Sequence, residues 1–600
     1  MLPLFDTDRR RRQINLGGAS SSTSHTSIID QAKLRREERI EHKRRSDSAV
    51  KVQAWWRGTK EHQRVRQELR RNLEDALDRG DLLQLNTLRM LVIVSRTQTN
   101  DTTLSHWSHK LLQYGADHVF DSATSQDTGT SYVVLIKQII LLLLQELSRN
   151  AQFDGSVAHL TLLNLLLSPG SKSTSSPNRR KIVQEFLAYS LSHGYYSLLA
   201  SAMTTIPVEA KSSPALPPLV TLFTLPFTAL ETTSVEYASA IQEFFVHILT
   251  IHLLPNRLPL PTLTQLSSHL PLTKMNLLYA KSTGEWSSSS LAQFLSGSAT
   301  AITIEVKIHL ISNLLAFTPP RYGKLPGPAF AAYLRLLGDV LNHIPSGALE
   351  GPSAVSSKNR SNAMNDYGSD SDDDHSNIRV TIVSSFNTPS HPPLPVLDPR
   401  TLKRLLVLPS PAHILSILEA SKSLSSSRYP LITFIHSLGG VWPSKQDELR
   451  THLSSWNGGG LVREIWRGWV RGGGLGSNIV SPEPKAANAM DDPWAPLLLL
   501  ADLYSHGLVT MGDDEFFSSS TLTGIGSSTA HRNPLTLDEI STFTRQLPNI
   551  AWVLWMHGGD LGNESSSSFA SSVPQPLVRF SWIEIREKVT RCLLAINARD

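Results

Sequence analysis

Cysteine is almost missing from this chain: Cys592 is the single one in 600 residues. That excludes an internal disulfide framework and every zinc site built on several thiolates, and it fits a reducing compartment, so cytoplasm or nucleus is the expected location. Charge is scarce as well. With 18 % charged and 40 % hydrophobic residues, the composition is that of a folded protein, and 600 residues are too many for one core. A secretory leader is not expected, because the arginines at 9–12 lead into polar residues, and Asp6 and Asp8 speak against a transit peptide. Long apolar runs are also lacking. The longest, 133–147, includes Lys137 and Gln138 and falls short of the ~20 residues a membrane-spanning helix needs. A buried core helix is expected there, and no transmembrane segment.

Familiar catalytic patterns are lacking too. No Gly-x-Ser-x-Gly elbow occurs, and the glycines at 472–474 and 476 have neither a preceding strand pattern nor a following Gly-Lys-Ser/Thr. His106 and His109 have ligand-like spacing without a supporting Cys or carboxylate cluster. No catalytic, cofactor or metal residue is therefore expected.

What the chain does have is a concentrated basic start. Residues 1–71 carry 18 Lys and Arg against 9 Asp and Glu, so the overall +5 leaves −4 for the remainder. The clusters at 9–12 and 42–45 are compatible with nuclear import. Glu37, Glu38 and Glu41 interleave them, however, which describes a solvated helix laced with ion pairs, and no nucleic-acid reading module accompanies the charge. Sequence-specific nucleic-acid binding is not expected.

Within this region lies Ala49-Val50-Lys51-Val52-Gln53-Ala54-Trp55-Trp56-Arg57-Gly58. An aliphatic residue and Gln followed four residues later by Arg-Gly is the IQ pattern, here carried by Val52, Gln53, Arg57 and Gly58. On a helix Val52 and Trp56 share a face flanked by cations, the form recognised by an acidic partner with a hydrophobic groove, such as calmodulin. The last basic position of the pattern falls on His62, with Arg64 two residues late. The competing reading is an amphipathic helix packed on its own domain, with Trp55 and Trp56 as half-buried anchors.

Helical signals dominate the rest. Asp398-Pro399 and Ser410-Pro411 pair an N-cap residue with proline at the first helical position, and Thr536-Leu537-Asp538-Glu539 has capping-box spacing. Glycines at 439–440, 458–460 and 472–474 mark expected helix ends. Helical stretches are expected at 132–148, 157–167, 182–203, 237–254, 302–317 and 328–341, without a fixed period. The expected fold is therefore all-α: an irregular helical array, a solenoid resembling HEAT or armadillo repeats, with a basic N-terminal helix and disordered linkers. The expected division is a helical arm at 1–75 with the IQ-like motif, a helical scaffold at 76–345, an acidic and proline-rich flexible linker at 346–397, and a second helical region at 398–600. Ser369 and Ser371 lie among the acids of that linker, as phosphorylation sites or as part of a solvated acidic loop.

A short N-terminus closing in Leu16-Gly17-Gly18-Ala19-Ser20, a charged helix around Ala32-Lys33-Leu34-Arg35-Arg36-Glu37-Glu38-Arg39 and then one IQ-like motif together resemble a known family. That family is the IQ-bearing, proteasome-associated branch of HECT-type E3 ubiquitin-protein ligases, in a fungal-like form. The residues from Val578-Arg579-Phe580-Ser581-Trp582 to Ala595-Ile596-Asn597-Ala598-Arg599-Asp600 are similar to the helix that leads towards the HECT domain in these ligases. The resemblance implies a ubiquitin transferase of the ubiquitin conjugation pathway, acting in protein ubiquitination and proteasomal degradation. It further implies that E2 and ubiquitin act through a HECT domain missing from this chain, so that the chain is inactive alone, with the proteasome and calmodulin as possible partners. In the family the catalytic cysteine sits in a Thr-Cys-type loop. Cys592 instead falls on the stripe Ile585, Val589, Cys592, Leu593 and Ile596 of a terminal helix, where a free cysteine is a small, inert, buried hydrophobe. The alternative is a non-enzymatic helical adaptor regulated by calmodulin-like binding to the arm.

Overall fold

The computed structural model describes residues 25–96, 102–124, 129–170, 177–280, 289–297, 301–349, 396–422, 427–471, 494–517, 533–557 and 582–599. Among these every regular element is helical, so the fold is all-α. The expected linker core at 350–395, the serines at 565–568 and the glycines at 472–474 lie outside the described residues.

Apolar spacing explains the individual helices. In Gly129–Arg149, the residues Val133, Ile136, Ile140, Leu143, Leu144 and Leu147 recur at intervals of one, three and four, which lines one face with aliphatic carbon, and all are buried. Burying each contributes about 1.5–3 kcal/mol relative to exposure. The helix runs to 21 residues, longer than the apolar run within it. It is long and apolar enough to cross a membrane by length and composition, and half of its most apolar 18-residue window is buried in the array.

The body is built as two interleaved rows. One row stacks Leu85–Ser95, Gly129–Arg149, Tyr195–Thr205 and the π-helical turn Phe244–Ile248; the other stacks Thr102–Tyr114, Ser156–Leu167, Leu216–Ala229 and Leu260–His269. Pro177–Ser192 is an additional helix that touches members of both rows. The first row therefore restarts at 85, 129, 195 and 244, and this unequal spacing is why the sequence carries no fixed period. Polar side chains close the joints between layers. The hydroxyls of Tyr195 and Tyr196 donate to the carbonyls of Leu222 (2.8 Å) and Phe223 (3.2 Å), and Asn313 donates to the carbonyls of Leu249 (2.9 Å) and Ile251 (2.7 Å) just after the π turn. The Leu222 carbonyl stands four residues before Pro226, which has no N–H to give it, so the Tyr195 hydroxyl satisfies an acceptor that would otherwise be a buried orphan.

Several local expectations are met. Asp398 Oδ1 accepts from the Arg400 amide at 2.7 Å, and Thr536 and Glu539 cap each other's amides at 3.0 and 3.3 Å. Others are corrected. Ser410 precedes its helix as expected, but its hydroxyl donates backwards to the Val407 carbonyl instead of capping. The stretch 182–203 is two helices, broken at Gly194, whose φ of +82° is open to glycine and strained for other residues. Gly439 and Gly440 do not end their helix, which continues as Arg428–Val441. Of the serines at 287–290, expected as an exposed loop, 287 and 288 lie outside the described residues, while Ser289 caps the Ser290–Ser296 helix through the Ala292 amide.

The chain divides into two compact units, Met1–Asp81 and Leu82–Asp600. Within the second, Gly327–Asn342 lies along Arg428–Val441, and the Gly347 amide donates to the Val441 carbonyl at 2.9 Å, so the helices before and after residues 350–395 pack on each other. Further on, Trp494–Thr510 packs against both Gln446–Ser455 and Trp582–Asn597.

Candidate partner-binding helix

The arm is one helix of 55 residues, His25–Arg79. Its polar surface supports itself through pairs one turn apart: Arg45 with Glu41, Arg64 with Glu61 (2.5 Å) and Arg70 with Glu74 (3.4 Å). Such exposed, solvent-screened pairs contribute little individually, so length and repetition carry the helix rather than any one contact.

Val52, Gln53, Trp56, Arg57 and Gly58, the candidate binding residues of the IQ-like segment, all lie on this helix and are exposed. Ala49, Val52, Trp55, Trp56 and Thr59 follow one another at intervals of three, three, one and three, which makes an apolar stripe along one side. Trp55 is 69 % and Trp56 57 % exposed, and Val52 62 %. The reading of Trp55 and Trp56 as half-buried anchors is therefore corrected: both indoles face outward. Lys60 sits over the Trp56 ring at 5.1 Å, and the Thr59 hydroxyl is turned back to the Trp55 carbonyl at 2.9 Å, which removes a polar group from the stripe. Nothing lies within 4 Å of where a Cβ on Gly58 would stand. Glycine inside a helix costs about 1 kcal/mol relative to alanine, and no neighbour in the fold requires it. His62, in the last basic position of the pattern, meets Arg66 at 2.6 Å, so that end of the motif is cationic through Arg66.

Cys592 is fully buried, as its helical stripe implies, beside buried Val589 and Ile596. Burial, with Asp502 nearby, pushes its thiol up to about 12. A thiol held protonated in an apolar core is unsuited to attack a thioester. His106 and His109 are both exposed, the latter bonded to the Ser105 carbonyl (2.8 Å), and among the described residues no group of three His, Cys, Asp or Glu is arranged to hold a metal.

One feature leaves no local trace in the sequence: a cleft in the body lined by Arg450, Asp502, Lys588 and Arg591, from three separate helices. Long-range convergence of this kind has no spacing signature. Comparison with known protein families, with curated proteins and with solved structures finds no match for the chain.

Proposed function

We propose that this chain is a non-catalytic helical scaffold in HECT-type ubiquitin ligation, and that the His25–Arg79 helix is its docking arm for a calmodulin-like partner. The outward-facing stripe of Val52, Trp55 and Trp56, set in a cationic helix, is the observation that carries the docking role. It offers apolar anchors to a groove and positive charge to an acidic rim, and this is how an amphipathic helix is gripped. The scaffold role rests on the motif resemblance and is compatible with the helical body, which offers extended packed surfaces for a substrate or the proteasome. Ubiquitin transfer itself is assigned to a HECT domain that these 600 residues do not supply.

Calorimetric titration of the full chain with calmodulin, with and without calcium, tests the arm. Saturable binding that weakens at least ~10-fold in Trp56→Ala supports it, since a buried tryptophan anchor commonly contributes about 2 kcal/mol or more; no binding in either condition removes it. Incubation with E1, E2, ubiquitin and ATP tests the absence of transfer chemistry, and a reductant-sensitive adduct lost in Cys592→Ala would overturn that. Sequencing of native transcripts separates the ligase scaffold from the adaptor: an open frame into a HECT domain supports the first, and a stop after Asp600 in every transcript supports the second.

A further inference from the structure

The cleft in the body holds about 890 Å³, within the range of sites that enclose a drug-sized ligand. Its floor is aliphatic, formed by Ile344, Ile435, Leu449, Leu453, Leu499 and Leu503. One wall is charged. Asp502 receives Lys588 Nζ on one carboxylate oxygen and Arg450 on the other at 3.6 Å, and all three side chains are less than 20 % exposed. Arg591, on the same helix as Lys588, adds a third cation to this wall.

Two part-buried cations, Arg450 and Lys588, thus face one part-buried carboxylate, with Arg591 exposed at the rim. Two further acids stand near. Asp447 pairs with Arg450 at 3.1 Å but is 84 % exposed, and Glu587 lies on the exposed rim; both act through water, where an ion pair is weak. The less screened interior of the wall is therefore positive. A neutral apolar ligand would fill the floor and leave these cations further desolvated, at a cost. Nucleic acid is disfavoured because no Phe, Tyr or Trp lines the cleft as a platform for stacking bases. A short peptide that sets acidic side chains beside apolar ones satisfies both surfaces.

We propose that this cleft is a second docking site, which takes a short acidic peptide with aliphatic anchors from a partner protein. It is independent of the arm and of the ligase reading. The test uses the full chain and a fluorescein-labelled peptide of alternating Asp and Leu, read by anisotropy. Saturable binding is expected. Arg591→Glu, a change at an exposed position, is expected to weaken it about 10-fold by placing like charge against the peptide. Lys274→Glu, also exposed and outside the cleft, makes the same change in net charge and is expected to alter binding less than about twofold, since distant charges are screened. A peptide with Asn for Asp is expected to bind at least ~10-fold more weakly. No saturable binding, equal losses in both variants, or equal binding of the Asn peptide would each overturn the proposal. So would tighter peptide binding after Asp370, Asp372, Asp373 and Asp374 are replaced by Asn, because the occupant would then be the chain's own acidic segment.

Discussion

The Tyr322 hydroxyl donates to Nε2 of His413 at 2.7 Å, joining residues 91 positions apart on opposite sides of the 350–395 segment. The direction follows from the neighbours. His413 Nδ1 lies 3.0 Å from the Leu408 carbonyl, which only accepts, so the proton is on Nδ1 and Nε2 is the acceptor. Tyr322 in turn accepts from Tyr333 at 2.8 Å, and Thr318 stands 3.1 Å behind Tyr333. The result is a buried relay in which Tyr333 donates to Tyr322 and Tyr322 to His413, while the Thr318 hydroxyl also lies 2.7 Å from the Leu314 carbonyl, to which it donates.

Removing the middle of that relay tests it. Tyr322→Phe leaves a buried donor on Tyr333 and a buried acceptor on His413, and is expected to cost about 2–4 kcal/mol in urea unfolding. Adding His413→Leu to that variant should cost less than the two single changes together, because the orphaned acceptor is gone. Strict additivity would show that the pair is not coupled.

Between about pH 4 and 7 two sets of buried groups should pull stability in opposite directions. Burial lowers the pKa of His413, His309 and His247 below the ordinary 6.5. The unfolded chain then binds more protons, so their contribution is complete above pH 6.5 and is lost as pH falls below it. Burial acts the other way on two carboxyls, raising Glu243 from 4.5 to about 7 and Asp339 from 3.8 to about 6. Here the folded chain holds the extra proton, so the contribution is complete below the ordinary values and is lost as pH rises through 6 to 7. Glu243→Gln keeps the neutral shape, and should match the parent at pH 4 and exceed it by on the order of 1 kcal/mol at pH 8, allowing for partial solvent screening. Equal stability of the two at pH 8 would refute the burial argument for Glu243.

Gly338 sits where Gly327–Asn342 meets Arg428–Val441. A Cβ there would stand 2.9 Å from Thr433 Cγ2 and 3.3 Å from the Phe434 amide nitrogen. Gly338→Ala should therefore destabilise the chain by about 1–3 kcal/mol as overpacking, despite the higher helix propensity of alanine. Thr433→Ser removes the clashing methyl and keeps the hydroxyl that donates to the Tyr429 carbonyl at 3.0 Å. Part of the loss should return in the double variant, measured by thermal unfolding; no recovery would place the clash elsewhere.

Glycine also shows what the sequence can and cannot convey. Gly194 and Gly439 look alike as helix breakers, yet one separates two helices at φ +82° and the other lies inside one, 3.7 Å from Gln446 when given a Cβ. The residue type is the same at both positions, so glycine alone does not tell a helix break from a helix interior. Capping at Asp398 and at Thr536–Glu539 is readable because donor and acceptor lie within three residues. The IQ-like stripe is readable for the same reason, as helical periodicity within one segment, although the exposure of Trp55 and Trp56 is not. Arg450, Asp502 and Lys588 meet from helices 52 and 86 positions apart, so the cleft emerges only in three dimensions.

Cys592 gives a direct test of the C-terminal packing. It is fully buried on Trp582–Asn597, with its thiol pushed up to about 12 by burial. In native buffer at pH 8 it should resist Ellman's reagent, because both access and thiolate are lacking; in strong denaturant one equivalent per chain should react at once. Cys592→Ser should destabilise by about 1–3 kcal/mol, since a hydroxyl demands a partner that an apolar stripe does not provide. Cys592→Ala loses only a small hydrophobe and should cost less. Rapid labelling of the folded chain, or a serine variant as stable as the parent, would mean that the terminal helix detaches from Trp494–Thr510 in solution.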